Sequence, residues 1–365
     1  MITLDIAEFA IAVPDDDIAD LRRRLSSTRW PRSWPEPAWS AGTDSDVLAH
    51  LVDYWADGFD WRSHEQRLNA EPQRTATVGG QRVHFLHVRA KQPTDLPLIL
   101  TNGWPSTFAE LIPLAHRLAD LGHDVVVPSL PGFTFSDQPS EAPAAVPTYE
   151  LWHHLMSGLG YDRYAAHGGD LGAGITSRLG AAHPEAVAGI HLMAVMPAVD
   201  HSNLTAAEEA YLSGIESWTS DGGAYQHQQQ TRPLTLAYGL TDSPVGLLAW
   251  ILEKYRSWSD LSTRWTDDDV LLQASLYWFT NTIGTSFRPY FDYLAHPTPR
   301  PTMGDLPTAV AAFPYDISVP PREYAERTYH VVRYTRFNHG GHFAPHEQPD
   351  ALAQDLHDFA ISLSG

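Results

Sequence analysis

The chain carries Ala166-His167-Gly168-Gly169-Asp170-Leu171-Gly172, a run with small residues two before and two after a single aspartate. A sharp strand-to-helix turn that exposes one side chain needs small residues at those places, because its backbone is strained and crowded. Tyr161 to Ala166 reads as the short buried strand entering the turn, and Ala173 to Leu179 as the helix leaving it. The pattern is that of a nucleophile elbow with a carboxylate at its tip. A carboxylate there suits attack on a saturated carbon, whereas acyl chemistry more naturally uses serine or cysteine.

Composition sets the frame. A chain of 365 residues with 43% apolar content can bury a sizeable core in one large α/β domain with insertions or in two smaller domains. There is no cysteine, which excludes disulfides, thiolate nucleophiles and cysteine-ligated metals. The formal net charge of −20 argues against nucleic acid or an anionic membrane as partner. Met1-Ile2-Thr3-Leu4-Asp5 does not open a secretory signal, and no run approaches the length of a membrane span. A cytoplasmic protein is expected.

Four segments follow one another. Residues 1–75 read as a meander: a short helix after Pro14-Asp15-Asp16-Asp17, a Trp/Pro stretch from Trp30 to Trp39, and a second helix over 47–56. Such a stretch makes no core alone and is expected to wrap another domain. From 76 to 197 buried runs alternate with helical periodicity: Val83–Val88, Leu98–Thr101, Val125–Val127 and Ile190–Val195 read as strands, with a helix over 109–121. Residues 198–295 are aromatic and helical, as an inserted cap would be. The strand rhythm resumes over 296–365, with runs at 308–313 and 329–334. This alternation implies an α/β fold with a mostly parallel sheet flanked by helices.

Candidate chemistry collects around the ends of those strands. Asn102-Gly103-Trp104-Pro105 follows a buried strand, and a glycine turn there offers backbone N–H groups to a developing anion. His342, in Asn338-His339-Gly340-Gly341-His342-Phe343, falls after the last strand and fits the chain order nucleophile, acid, histidine. His339 and His346 are its rivals among 19 histidines. Asp316, after Phe313-Pro314-Tyr315, can orient an imidazole or cap the turn before Ile317. His342 and His346 are four apart, but Pro345 between them disfavours a shared metal-binding face.

Taken together these motifs resemble the epoxide hydrolases of the α/β-hydrolase fold, in the microsomal-type branch with an N-terminal wrapping segment. The resemblance runs through Phe9–Pro14, Thr28–Pro31, Gly168–Gly172, Asp242–Leu247, Ile251–Lys254, Phe313–Asp316 and Gly340–Ala344, and covers essentially the whole chain. It implies that Asp170 is the nucleophile, His342 the base and Asp316 its partner. It further implies that Tyr225 and Tyr290 donate to the epoxide oxygen, which spacing alone does not select among 15 tyrosines. The oxyanion hole would be the backbone N–H groups of Trp104 and Leu171. No metal or organic cofactor is called for. The partners would be water and a small-molecule epoxide, apolar and with room to be bulky among the cap aromatics; a homodimer stays open.

Two positions depart from the family: Asn102 stands where histidine is usual, and Leu171 where tryptophan is usual. Both leave the backbone donors in place and bear on the pocket. A haloalkane dehalogenase also resembles this chain in its Asp nucleophile, but Leu171 and Trp104 stand where its halide ligands belong. A non-catalytic ligand-binding member of the fold is the third reading.

Overall fold

The computed structural model describes residues 4–32, 34–93, 96–141, 144–263 and 265–363. Its strands are β1 (Ile6–Glu8), β2 (Gln73–Val78), β3 (Gln81–Val88), β4 (Leu98–Thr101), β5 (Val125–Pro128), β6 (Tyr164–Gly168), β7 (Val187–Leu192), β8 (Pro307–Ala312) and β9 (His330–Arg336). They form one sheet in the order β1-β2-β3-β5-β4-β6-β7-β8-β9. The pairs from β5 to β9 are parallel, and β1, β2 and β3 extend one edge antiparallel. This is the α/β-hydrolase fold expected from the sequence.

Strands β4 and β5 are buried at every position, as continuous apolar runs in a sheet covered on both faces must be. Alternation along β7 shows the two coverings. Ile190 faces Gly180 of the helix Leu171–Ala182, while its neighbour His191 reaches Asp355 of the helix Pro349–Ser362 at 3.0 Å. β6 starts at Tyr164 and runs to Gly168, later than the expected 161–166, so the strand delivers the chain directly into the turn.

Six α-helices lie between β7 and β8: Ala206–Asp221, Ala224–Thr231, Pro233–Asp242, Pro244–Ser257, Asp267–Thr280 and Arg288–Ala295. The first and fifth begin with capping boxes, Thr205 with Glu208 and Thr266 with Asp269. The N-terminal segment clasps this insertion through its helices, through the turn before the second of them, and through Trp39, over whose ring the Arg256 guanidinium lies at 5.6 Å, while Trp30 and Trp34 of the Trp/Pro stretch are exposed. Thr43 Oγ1 donates to Ala249 O at 2.6 Å, Tyr54 to Asp268 at 2.8 Å, and Trp55 Nε1 to Ser275 at 2.9 Å. The same segment also supplies β1, a strand too short to register as alternation in the sequence. No helix among the described residues is long and apolar enough to cross a membrane.

Gly168 and Gly172 are required by close approach. A Cβ on Gly168 would lie 2.2 Å from Gly172 O, and one on Gly172 would lie 2.1 Å from Thr101 O at the end of β4. Gly174, one turn position further along the same helix, faces open space. Gly172→Ala should therefore lose at least about 2 kcal/mol of stability by overpacking. Gly174→Ala should be neutral or gain up to about 1 kcal/mol from helix propensity. Urea denaturation of the pair checks this; equal effects at the two sites would contradict the packing argument.

Candidate active site

The C-terminal ends of the parallel strands bring the sequence-predicted residues to one place, the usual ligand side of such a sheet. Asp170 sits between β6 and the helix Leu171–Ala182 at φ 49° and ψ −124°, a conformation that L residues rarely adopt. Strain of this kind costs about 1–3 kcal/mol and persists only where neighbours enforce it. The crowded glycines on either side do so here.

One carboxylate oxygen of Asp170, Oδ1, accepts the Trp104 N–H at 2.9 Å. The other, Oδ2, lies 3.9 Å from His342 Nε2, an ion-pair distance rather than a hydrogen bond. Leu171 opens the elbow helix, so its N–H is among those without an intrahelical acceptor. Behind the histidine, Nδ1 is 2.7 Å from Asp316 Oδ1. Asp316 also accepts the Ile317 N–H at 2.7 Å, so the turn-capping and imidazole-orienting readings of this residue hold together. His339 is largely exposed, and His346 stacks on Trp265 with ring centroids 4.0 Å apart.

The two phenols singled out by resemblance meet above Trp104. Tyr225 stacks on the indole with centroids 5.3 Å apart and planes 12° apart, and Tyr290 meets it edge-on at 6.2 Å. Both are buried, and among the described residues the Tyr290 hydroxyl makes no hydrogen bond of good geometry, with the Tyr225 hydroxyl as its polar neighbour. Burial first, then the Asp170 carboxylate, push both phenols well above their ordinary range, so each remains a proton donor at neutral pH.

His342 carries opposing influences. Burial disfavours its charge, but the charge of Asp316, its hydrogen bond, and then Asp170 outweigh that and hold the imidazole up at about 9. The resting site thus contains an imidazolium between two carboxylates.

Several residues around the site, among them Glu110, Ser106 and Asp260, were not singled out from sequence, and Asn102 was singled out without its hydrogen bonds. Glu110 is buried beside the loop Asn102–Thr107, where Ser106 Oγ donates to it. Burial pushes its carboxyl up to about 8, despite that bond. A lone acid in the run Phe108-Ala109-Glu110-Leu111-Ile112 was the available signal. Asn102 Nδ2 donates to Gly103 O at 2.8 Å and Ser106 O at 3.0 Å, while Tyr277 donates to Ser106 O at 3.1 Å. The asparagine therefore braces the turn that aims the Trp104 N–H. The base loop is clamped by the insertion: His342 N–H donates to Trp258 O at 2.8 Å and Gly340 N–H to Asp260 at 2.9 Å. The Trp258 ring also meets the imidazole at 5.1 Å.

Among the described residues, His153, His183 and Glu185 bring three potential metal-ligand atoms within 4.8 Å of one another, and none is a residue of this site. The two imidazoles are stacked 3.7 Å apart and 6° from parallel, which aims their lone pairs side by side rather than at one ion.

Comparison with known proteins gives the family of the chain. Residues 97–349 match the alpha/beta hydrolase fold family, which defines the class. Residues 6–111 match the family described as epoxide hydrolase N terminus. Epoxide hydrolase 1 of Oryctolagus cuniculus is 30% identical over 97% of this chain and 88% of its own. The solved Aspergillus niger epoxide hydrolase superposes with a TM-score of 0.87 at 30% identity, covering 98% of this chain and 96% of that one. Juvenile hormone epoxide hydrolase from Bombyx mori does so with 0.87 at 27%, covering 99% and 95%. The chain belongs to the epoxide hydrolase family.

Because its folded-state pKa is raised, His342 contributes stability that is fully present below its unfolded value near about 6.5. That contribution is lost as pH rises through about 9. Asp316→Asn should move the NMR titration midpoint of His342 down toward the ordinary imidazole range. The stability gap between wild type and Asp316→Asn should accordingly be widest at pH about 6.5 and just below, and narrow as pH rises toward about 9. An unmoved midpoint would contradict the assignment of Asp316 as its main partner.

Proposed function

We propose that this enzyme opens an apolar epoxide to a vicinal diol in two half-reactions, through an ester on Asp170. The observation that carries the reading is the Asp170 carboxylate itself. One of its oxygens is anchored on a backbone N–H and the other faces His342, close to two buried phenols.

In the first half-reaction Tyr225 and Tyr290 hydrogen-bond the oxirane oxygen. The unanchored Oδ2 attacks a ring carbon from the opposite side, and the C–O bond opens. Forming the ester removes the Asp170 charge. That charge is one of the influences holding the imidazole protonated, so its loss lowers the pKa of His342, whose proton passes to the phenolate left by ring opening and frees the imidazole to act as a base. In the second half-reaction His342 takes a proton from water, which attacks the ester carbonyl. The resulting oxyanion rests on the N–H groups of Trp104 and Leu171, each donor being worth roughly 3–4 kcal/mol where such contacts have been removed. Asp316 stabilises the imidazolium. Side chains and backbone supply every step.

The helices between β7 and β8 act in this reading as a cap over residues 76–197 and 296–365, with residues 1–75 as the strap that holds it. The aromatic walls formed by Trp104, Tyr225, Trp258, Phe287 and Tyr290 favour an apolar substrate. A halide-binding role for the Trp104 indole is disfavoured, since its Nε1 already donates to Ser286 at 3.1 Å.

Asp170→Ala should abolish diol formation and leave the thermal transition in place or raise it, since strain at φ 49° is eased. His342→Gln should trap the ester. Its intact mass should rise by one whole substrate mass, mapped to the peptide containing Asp170, whereas a haloalkane reaction would add the substrate less hydrogen halide. Turnover by wild type with no mass gained on the His342→Gln protein would remove the covalent mechanism. Tyr225→Phe and Tyr290→Phe should each slow ring opening, and the double change should bring it close to zero.

A further inference from the structure

Lys254 lies on the helix Pro244–Ser257 and is buried, which is rare for lysine unless its charge is met. Its ammonium pairs with Glu253, whose own side chain is 31% exposed against 6% for the lysine. The lysine side chain is therefore the more enclosed member of the pair. The remaining surroundings are rings. Lys254 Nζ stands 4.8 Å from the Tyr225 ring centroid, 5.6 Å from Trp250 and 5.8 Å from Trp258. All lie within the range of about 6 Å at which a ring face attracts a cation.

Two of those rings belong to the site described above. Tyr225 stacks on Trp104, whose N–H holds Asp170, and Trp258 meets His342. Methionine or leucine would fill the same space among the rings without the cost of taking an ammonium out of water. The placement of this charge is what calls for a role.

The proposed reaction creates a need for it. As the bond from Asp170 to the ring carbon forms, the C–O bond of the oxirane breaks and its electron pair passes to the oxirane oxygen. That oxygen takes a phenol proton, so the negative charge that began on Asp170 ends on a phenolate. The His342 imidazolium then gives its proton to that phenolate, which restores the phenol and leaves the imidazole free to draw a proton from water; the balance is epoxide plus water to diol. A phenolate in a buried site is costly unless a positive charge faces it.

We propose that Lys254 is a positioning residue for this charge: its ammonium, held against the face of Tyr225, stabilises negative charge as it develops there and makes Tyr225, rather than Tyr290, the phenol that gives up its proton. Tyr290 then serves as the neutral hydrogen-bond donor. This inference rests on the reading of Asp170 as nucleophile and Tyr225 as donor, and goes beyond it by giving the two phenols unequal work.

The test uses the His342→Gln protein, in which the gain of mass over time reports ring opening alone. Adding Lys254→Met, which keeps the packed stem and removes the charge, should slow that gain about tenfold or more, in line with the loss of a transition-state electrostatic contact. Lys254→Arg should restore most of it. The effect should also depend on its target: Lys254→Met should have no further effect on a Tyr225→Phe protein and its full effect on a Tyr290→Phe protein. Should the methionine variant fail to fold, Lys254→Gln serves the same comparisons. Ring opening at an unchanged rate without the lysine charge, or equal slowing in both tyrosine backgrounds, would overturn the proposal while leaving the ester mechanism standing. Absence of any adduct on the His342→Gln protein would instead fail the mechanism on which it rests.

Discussion

A single hydrogen bond, from the Trp104 N–H to Asp170 Oδ1 at 2.9 Å, fixes which oxygen of the carboxylate is free to react. Much of the molecule serves that contact. The sheet order places the loop after β4 next to the turn after β6, so a backbone donor from one meets a side chain from the other. Glycines at 168 and 172 let the turn close against β4, and the strained backbone of Asp170 pushes its carboxylate out of the sheet. Asn102, Tyr277 and Ser106 then hold the donor loop from behind. Each of these costs something locally, in strain or in buried polarity, and the cost is tolerated because a rigid core surrounds it.

Charge gives the site its order of events. Two carboxylates flank His342 and keep it protonated in the resting protein. In the proposed reaction esterification of Asp170 neutralises one of them, so that the imidazole would be held as an acid while the carboxylate reacts and released as a base once it has given up its proton. The insertion between β7 and β8 contributes on both sides of this sequence. It carries Tyr225 and Tyr290, the phenols proposed to meet the oxirane oxygen, and through Trp258 and Asp260 it anchors the loop that carries His342. The N-terminal segment, bonded to the same helices through Thr43, Tyr54 and Trp55, ties that arrangement down.

What could be read from sequence follows from what is local. The elbow, the buried strands β4 and β5, and the loops bearing Asp316 and His342 were legible because each is written in contiguous residues whose period or composition has one physical meaning. Tyr225 and Tyr290 came only through family likeness, since no local signal separates a donor phenol from a packing one. Glu110 and Lys254 were not singled out for a role, because their significance lies in what they face across the fold. The strap was foreseen as a wrapping segment, but its partners were not, and three-residue β1 left no periodic trace.

The central claim, that the reaction passes through an ester on Asp170, makes a definite statement about oxygen. With enzyme in excess over an epoxide in heavy-oxygen water, the account predicts that the diol from the first turnover contains none of the heavy isotope, because its new oxygen comes from Asp170. The heavy oxygen should appear in the peptide that contains Asp170. Heavy oxygen in the diol of that first turnover, with none in the protein, would mean that water attacks the epoxide directly and would contradict the account.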